Sequence, residues 1–132
     1  MARKPKTQKQ EGTPVGALEL AVQAARIARG DNAENVVVLD LRELSSIADY
    51  FVIATATSDR QMRAIADHVE GFARSVGEKP YRTSGYESSS WLLADYIDVV
   101  IHLFSPEKRG YYELDILWGD APRVKWEDPK AL

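Results

Sequence analysis

Three observations in this chain of 132 residues predict an α/β domain, with a mixed sheet of about five strands flanked by helices. Two continuous β-branched runs, Asn35–Leu41 and Tyr50–Ala56, have the length and composition of well-buried strands. Two further segments carry apolar residues at helical spacing. Late in the chain, the alternating runs Trp91–Tyr96 and Asp98–Phe104 lie so close together that they must form a hairpin or nearly so.

The elements follow in order. Thr13 and Pro14 offer an N-cap and a first helical residue, and Leu18, Val22, Ala25 and Arg29 recur at helical spacing until Gly30. A first helix over residues 14–29 is therefore expected. The nine-residue connection LRELSSIAD between the first two strands is short enough for them to be antiparallel neighbours. Ser58 and Gln61 have the spacing of a capping box, in which the serine hydroxyl accepts from the third helical N–H and the glutamine reaches back to the serine N–H. Met62, Ile65, Val69, Phe72 and Val76 then trace one stripe, and Gly77 ends that helix. Lys79–Arg82 is read as a short edge strand and SGYESSS as a turn and loop. Ser105 and Pro106 open a last helix over Glu107–Trp118, with Tyr111, Leu114 and Trp118 as its stripe and Gly119 as its stop.

Composition bounds the function. The length suits one domain with one core. With no cysteine, thiol catalysis and thiolate zinc ligation are excluded, which fits a reducing cytoplasm. No apolar run is long enough to span a bilayer, and MARKPKTQKQ lacks the apolar centre of a signal peptide, so a soluble, internal protein with no membrane partner is expected. Residues 1–13 are expected to be a solvated, disordered basic tail, residues 14–119 the folded domain and residues 120–132 a loose, proline-broken tail. Arg3, Lys4, Lys6 and Lys9 take four of the 17 basic groups into the first ten residues, leaving 13 against 20 acidic ones, a net of −7. A body of that sign disfavours extended phosphate contact and favours a basic protein partner.

Aromatics are dense between Trp91 and Trp118, interleaved with Asp95, Asp98, His102 and Arg109, a composition that suits a protein-binding surface better than a catalytic cleft. Period two puts Trp91, Leu93 and Asp95 on one side of their strand, and Val100, His102 and Phe104 on one side of the next. Asp95, Asp98 and His102 admit a reading as metal ligands of a nucleotidyl or phosphoryl transferase. They also admit a plainer one, two acids capping a hairpin turn beside a structural histidine, and the three-residue spacing across a turn does not require their oxygens to converge. Trp91 reads either as a core plug or as an interface anchor worth about 2 kcal/mol when a partner desolvates it. His102 reads as a satisfied strand histidine or as a hydrogen-bonding contact to a partner. Arg109 can pair with Glu113 on its own helix. Ser84 and Ser88–Ser90 have no nucleophile-elbow context, His68 has no second ligand at helical spacing, and Gly85 has no companion glycines for a phosphate loop.

The runs SSIADYFVIAT at 45–55, SDRQ at 58–61 and IADHV at 65–69, and above all WLLADYIDVVIHLF with RGYYELDILW, closely resemble the ribosomal silencing factor family, also called Iojap or RsfS-like. The resemblance covers about residues 15–120. It implies a nucleotidyltransferase-like fold without enzymatic activity or cofactor. It further implies binding to the large ribosomal subunit through its protein uL-fourteen, blocking subunit joining and repressing translation when nutrients are scarce. By position, Trp91, Asp95, Asp98, His102, Arg109 and Tyr112 correspond to the family's signature, with Trp91 and Asp95 expected to touch the partner and Tyr111, Leu114 and Trp118 to pack. A minor contact of the basic tail with ribosomal RNA, and a homodimer supported by the aromatic rim, are left open. The chain departs from the family at Ser84-Gly85, where Glu-Gly is common, and at Ile97, where glycine often precedes the second acid. The latter departure implies a wider hairpin connection or a different turn.

Overall fold

The computed structural model describes residues 15–87, 90–112 and 119–127, without the side chains of Tyr111 and Tyr112. The basic tail with Thr13 and Pro14, and Ser88, Ser89, Glu113, Leu114, Trp118 and residues 128–132 lie outside it. In chain order the elements are α1 (Ala17–Gly30), β1 (Glu34–Asp40), β2 (Tyr50–Thr55), α2 (Asp59–Ser75), β3 (Arg82–Ser84), β4 (Trp91–Asp95), β5 (Val99–Phe104) and α3 (Pro106–Tyr112). The five strands form one mixed sheet in the order β1-β2-β5-β4-β3. β2 and β5 run parallel, and every other neighbouring pair is antiparallel.

β5 is buried along its whole length and β2 nearly so, because both sheet faces are covered there. On one face, Val38, Val52, Ala54, Leu92, Ala94, Ile101 and Leu103 pack with Leu20, Ala21, Ala24, Ala25 and Ala28 of α1 and Met62, Ile65, Ala66, Val69 and Ala73 of α2. The run of alanines lets α1 lie close to the strands. On the other face, Val37, Leu39, Ile53 and Phe104 form a second cluster with Leu41 and Ala121, flanked by Phe51 and Trp91. No described helix is long and apolar enough to cross a membrane.

Both long helices end in the same hydrogen-bond pattern. At the end of α1, Ala33 N–H donates to Ala28 C=O and Asn32 N–H to Arg29 C=O, with Asn32 left-handed at φ 70°. The stop is therefore Asn32, and Gly30 still belongs to the helix. At the end of α2, Glu78 donates to Ala73 and Gly77 to Arg74, with Gly77 at φ 80°, as the glycine there implies. α1 begins at Ala17 rather than at residue 14, because Gly16 is extended (φ −76°, ψ 171°).

The predicted capping box is half right. Ser58 Oγ accepts from Gln61 N–H at 3.0 Å. The Gln61 side chain, however, accepts from Thr57 N–H at 2.6 Å and donates to Asp31 C=O at 2.8 Å, so it ties the start of α2 to the end of α1. His68 strengthens that junction through Asp31, its Nδ1 lying 2.6 Å from the carboxylate. The edge strand lies two to three residues later than Lys79–Arg82. Pro80 has no N–H to give a ladder, and pairing starts with Tyr81 N–H on Asp95 C=O at 2.7 Å.

The segment expected to be loose from Asp120 onward is, as far as it is described, bound to the outer edge of β1. Asp40 N–H donates to Pro122 C=O, Val124 N–H donates to Val38 C=O, and Leu39 bridges Arg123. Trp126 is 7 % exposed and belongs to the main core, and Arg26 Nε donates to its carbonyl at 2.6 Å. The proline and charges that read as disorder are those of a strap that caps an edge strand and anchors by one aromatic. Trp126→Ala is expected to lower the unfolding free energy by about 3 kcal/mol in urea denaturation followed by circular dichroism. A change below about 0.5 kcal/mol would mean that the strap does not contribute to the fold.

Candidate protein-binding surface

The hairpin β4–β5 carries most of the residues singled out by the sequence, and its register distributes them. Trp91 lies opposite Phe104, Leu93 opposite His102 and Asp95 opposite Val100, so all six share one face. Trp91 and Phe104 stand at one end of the sheet, Asp95 and Asp98 at the other, and His102 between them. The set is thus one strip, not one cleft.

At the Trp91 end four rings pack together. The Trp91 indole lies 5.1 Å from Phe104 and 5.9 Å from His102, His102 stacks on Phe104 at 6.0 Å, and Phe51 meets His102 edge-on at 4.5 Å. Trp91 Nε1 donates to His102 Nδ1 at 3.2 Å. Nδ1 must therefore be the unprotonated nitrogen, and Nε2 carries the hydrogen. His102 is 5 % exposed, and its Nε2 is buried without a hydrogen-bond partner among the described residues. Burial disfavours the imidazolium and pushes its pKa down to about 4. His102 is thus no outward contact; its acceptor orients the Trp91 indole. Trp91 is half-buried and packs against the second cluster, so the core-plug reading holds in part. Arg109, from α3, donates to Thr55 Oγ1 at 2.9 Å at the same end of the sheet. The suggested Arg109–Glu113 pair and the Tyr112 side chain fall outside the described residues.

At the other end, Asp95 Oδ1 accepts from Ile97 N–H at 2.8 Å and Oδ2 lies 3.4 Å from Arg82 Nε. Asp98 N–H donates to Tyr96 C=O at 2.9 Å around Ile97 at φ 75°, a three-residue γ-turn. The connection is therefore tight despite the isoleucine, not wider, and a β-branched side chain is held in the left-handed region. Asp98 C=O accepts from the N–H groups of Asp49 and Tyr50, which fastens the β1–β2 connection to this turn. Asp95 and His102 are diagonal neighbours about 7 Å apart, with Asp95 engaged by the turn and His102 Nδ1 by the indole. Among the described residues no three His, Cys, Asp or Glu side chains group closely enough to hold a metal ion. Gly85 has a structural reason: at φ 88°, a Cβ there would fall 2.1 Å from the Trp91 carbonyl oxygen.

Sequence reasoning missed the exposed apolar residues of this end. Leu44 and Ile47, in the β1–β2 connection, are 44 % and 76 % exposed, and Tyr81 beside Asp95 is 59 % exposed. The signal was three large aliphatic residues in a nine-residue connection, but Leu41 is fully buried, as is the neighbouring Ala48, and no periodicity operates in a loop to tell them apart.

A family model described as "Ribosomal silencing factor during starvation" matches residues 14–132. The chain is similar to the "Ribosomal silencing factor RsfS" of Halalkalibacterium halodurans, 43% identical over 110 residues that cover 83% of this chain and 92% of that one. It is 33% identical over 95 residues to mouse "Mitochondrial assembly of ribosomal large subunit protein 1", covering 70% of this chain and 42% of that one. A crystal structure of a Chromobacterium violaceum protein superposes with a TM-score of 0.75 at 28% identity, covering 86% of this chain and 94% of that chain.

The geometry generates two expectations. Ile97→Gly removes the strain of a β-branched residue at positive φ, partly offset by the added freedom of the unfolded chain, and should raise the urea unfolding free energy by about 1 kcal/mol. An unchanged or lower value would show that the turn stores no strain. Because the folded pKa of His102 lies below the ordinary 6.5, the unfolded chain binds the extra proton first as pH falls. Stability from this group is complete above pH 6.5 and is lost between there and about 4, on the order of 3 kcal/mol. His102→Phe should flatten the stability profile in that window, leaving the carboxylates' share, and an identical profile would refute the assignment.

Proposed function

Since the chain belongs to the ribosomal silencing factor family, we propose that it binds the large ribosomal subunit and silences translation by occupying the surface on which the small subunit docks. The observation that carries this reading is the family match, which spans all of the folded part, strap included. The finer assignment is to the large-subunit protein uL-fourteen as receptor, with Trp91 and Asp95 in contact, Asp98 and Arg109 flanking them and Tyr112 nearby. His102 acts through Trp91. The basic first ten residues are assigned a minor contact with ribosomal RNA.

Physical chemistry supports the type of partner. The body without its first ten residues carries a net charge of −7 and is complementary to a basic ribosomal protein. The Trp91 indole is held on three sides by Phe104, His102 and its own strand, so little rotamer freedom remains to be lost on binding. Steric occlusion needs no bond-making group, and the role is regulatory rather than enzymatic. In a transferase on Asp95, Asp98 and His102, the histidine would have to give up its indole bond before a ring nitrogen could serve a metal.

Co-sedimentation with separated large subunits, small subunits and joined ribosomes tests the proposal. Binding to free large subunits alone is expected, at least tenfold weaker for a Trp91→Ala variant shown to be folded by circular dichroism. Absence of binding to any particle would overturn the ribosomal reading. Undiminished binding by the variant would overturn the place of Trp91 in it.

A further inference from the structure

Four large apolar side chains are markedly exposed among the described residues: Leu18, Leu44, Ile47 and Tyr81. Three of them stand at one end of the sheet, although Tyr81 lies far in sequence from Leu44 and Ile47. Leu44 and Ile47 sit in the connection from β1 to β2, whose Asp49 N–H is bound to Asp98 C=O at 2.8 Å. Tyr81 N–H is bound to Asp95 C=O at 2.7 Å on the far side of the same turn. The row from the β1–β2 connection through Ile97 to Tyr81 crosses all five strands, about 19 Å at ordinary strand spacing.

The connection is held rigidly. Leu41 N–H donates to Asp49 C=O, Leu44 and Ser45 N–H groups to Leu41 C=O, and Ile47 N–H to Ser45 Oγ at 3.0 Å, with Leu41 and Ala48 fully buried on either side. Ile47, 76 % exposed, is thus displayed on a fixed loop, and its apolar surface can be desolvated without ordering any backbone. The charge around it has one sign in excess. Residues 40–49, 81–82 and 95–98 contain Asp40, Glu43, Asp49, Asp95 and Asp98 against Arg42 and Arg82, and both arginines already face acids of this set, Asp40 at 2.7 Å and Asp95 at 3.4 Å.

We propose that this sheet end, with Ile47 and Tyr81 as its apolar anchors, is a docking surface for the basic protein partner on the large subunit, continuous with Asp95. The inference rests on the ribosomal reading and extends it to a loop outside the aromatic hairpin. Two apolar anchors set apart along an acidic rim fit a basic surface that carries apolar recesses at that spacing, whereas a nucleic-acid phosphate backbone would be repelled.

The test is the affinity of purified large subunits for the full chain and for Ile47→Asp, Tyr81→Asp and Leu18→Asp, each at an exposed site and each shown to be folded by circular dichroism. Ile47→Asp and Tyr81→Asp are expected to weaken binding at least tenfold, and Leu18→Asp, on α1, less than twofold. If the unaltered chain binds and Ile47→Asp binds equally well, this docking surface is wrong while the ribosomal reading stands. Equal weakening by all three variants would also overturn it, since the effect would then be one of added charge. If the unaltered chain does not bind, the ribosomal reading falls, and this surface with it.

Discussion

The parallel pairing of β2 with β5 is the constraint on which the rest of the molecule depends. Six residue pairs, from Tyr50–Val99 to Thr55–Phe104, run side by side in strands closed off from water on both faces. A parallel pair cannot be joined by a tight turn, so the chain must cross from the end of β2 back to the start of β5. Residues 56–98 do this with α2, β3 and β4. The return strand β4 brings the tight turn Tyr96–Asp98 to the same end as the β1–β2 connection. It also brings Trp91 to the opposite end, next to Phe104 and within the reach of α3. One pairing thus decides which residues stand together at each end of the sheet.

Within that frame most polar groups of the candidate surface are spent on structure. Asp95 caps the turn, His102 accepts the indole hydrogen bond, and Arg109 holds Thr55. A group committed in this way has less freedom to turn toward another partner. It is a good scaffold for recognition, because the aromatic and aliphatic side chains beside it are already placed. Among the described residues the Nε2 of His102 is a buried donor with no partner, while the ring packs with three others.

The two sheet edges are managed differently. β1 is closed by the strap over Pro122–Val124 and anchored by Trp126, while β3 has no second strand neighbour among the described residues and is only three residues long, with Arg82 at its start. Short edge strands and adjacent charge limit pairing with other chains, as a covering segment does. The turn at Ile97 carries a local cost that the surrounding hydrogen bonds, from Asp95, Tyr96 and Val99, hold in place.

What this sequence determined alone was its regular elements and its family. Strand cores, the α2 stripe, its Ser58 cap and its Gly77 stop, and the hairpin faces were all legible, because each depends on neighbours within a turn or two of the chain. The family was legible because its signature is a spacing of residue types. Only the tertiary structure decided the rest: that Asn32 and not Gly30 stops α1, that Gln61 reaches Asp31 rather than Ser58, that the C-terminal segment is a strap, and that His102 is buried under Trp91. It alone brought Leu44, Ile47, Asp95 and Tyr81 to one rim. The Asn32 stop is local but turns on a left-handed residue that the glycine two places earlier masks, whereas the others follow from contacts between residues eleven to a hundred positions apart, set by strand order and register rather than by any local pattern.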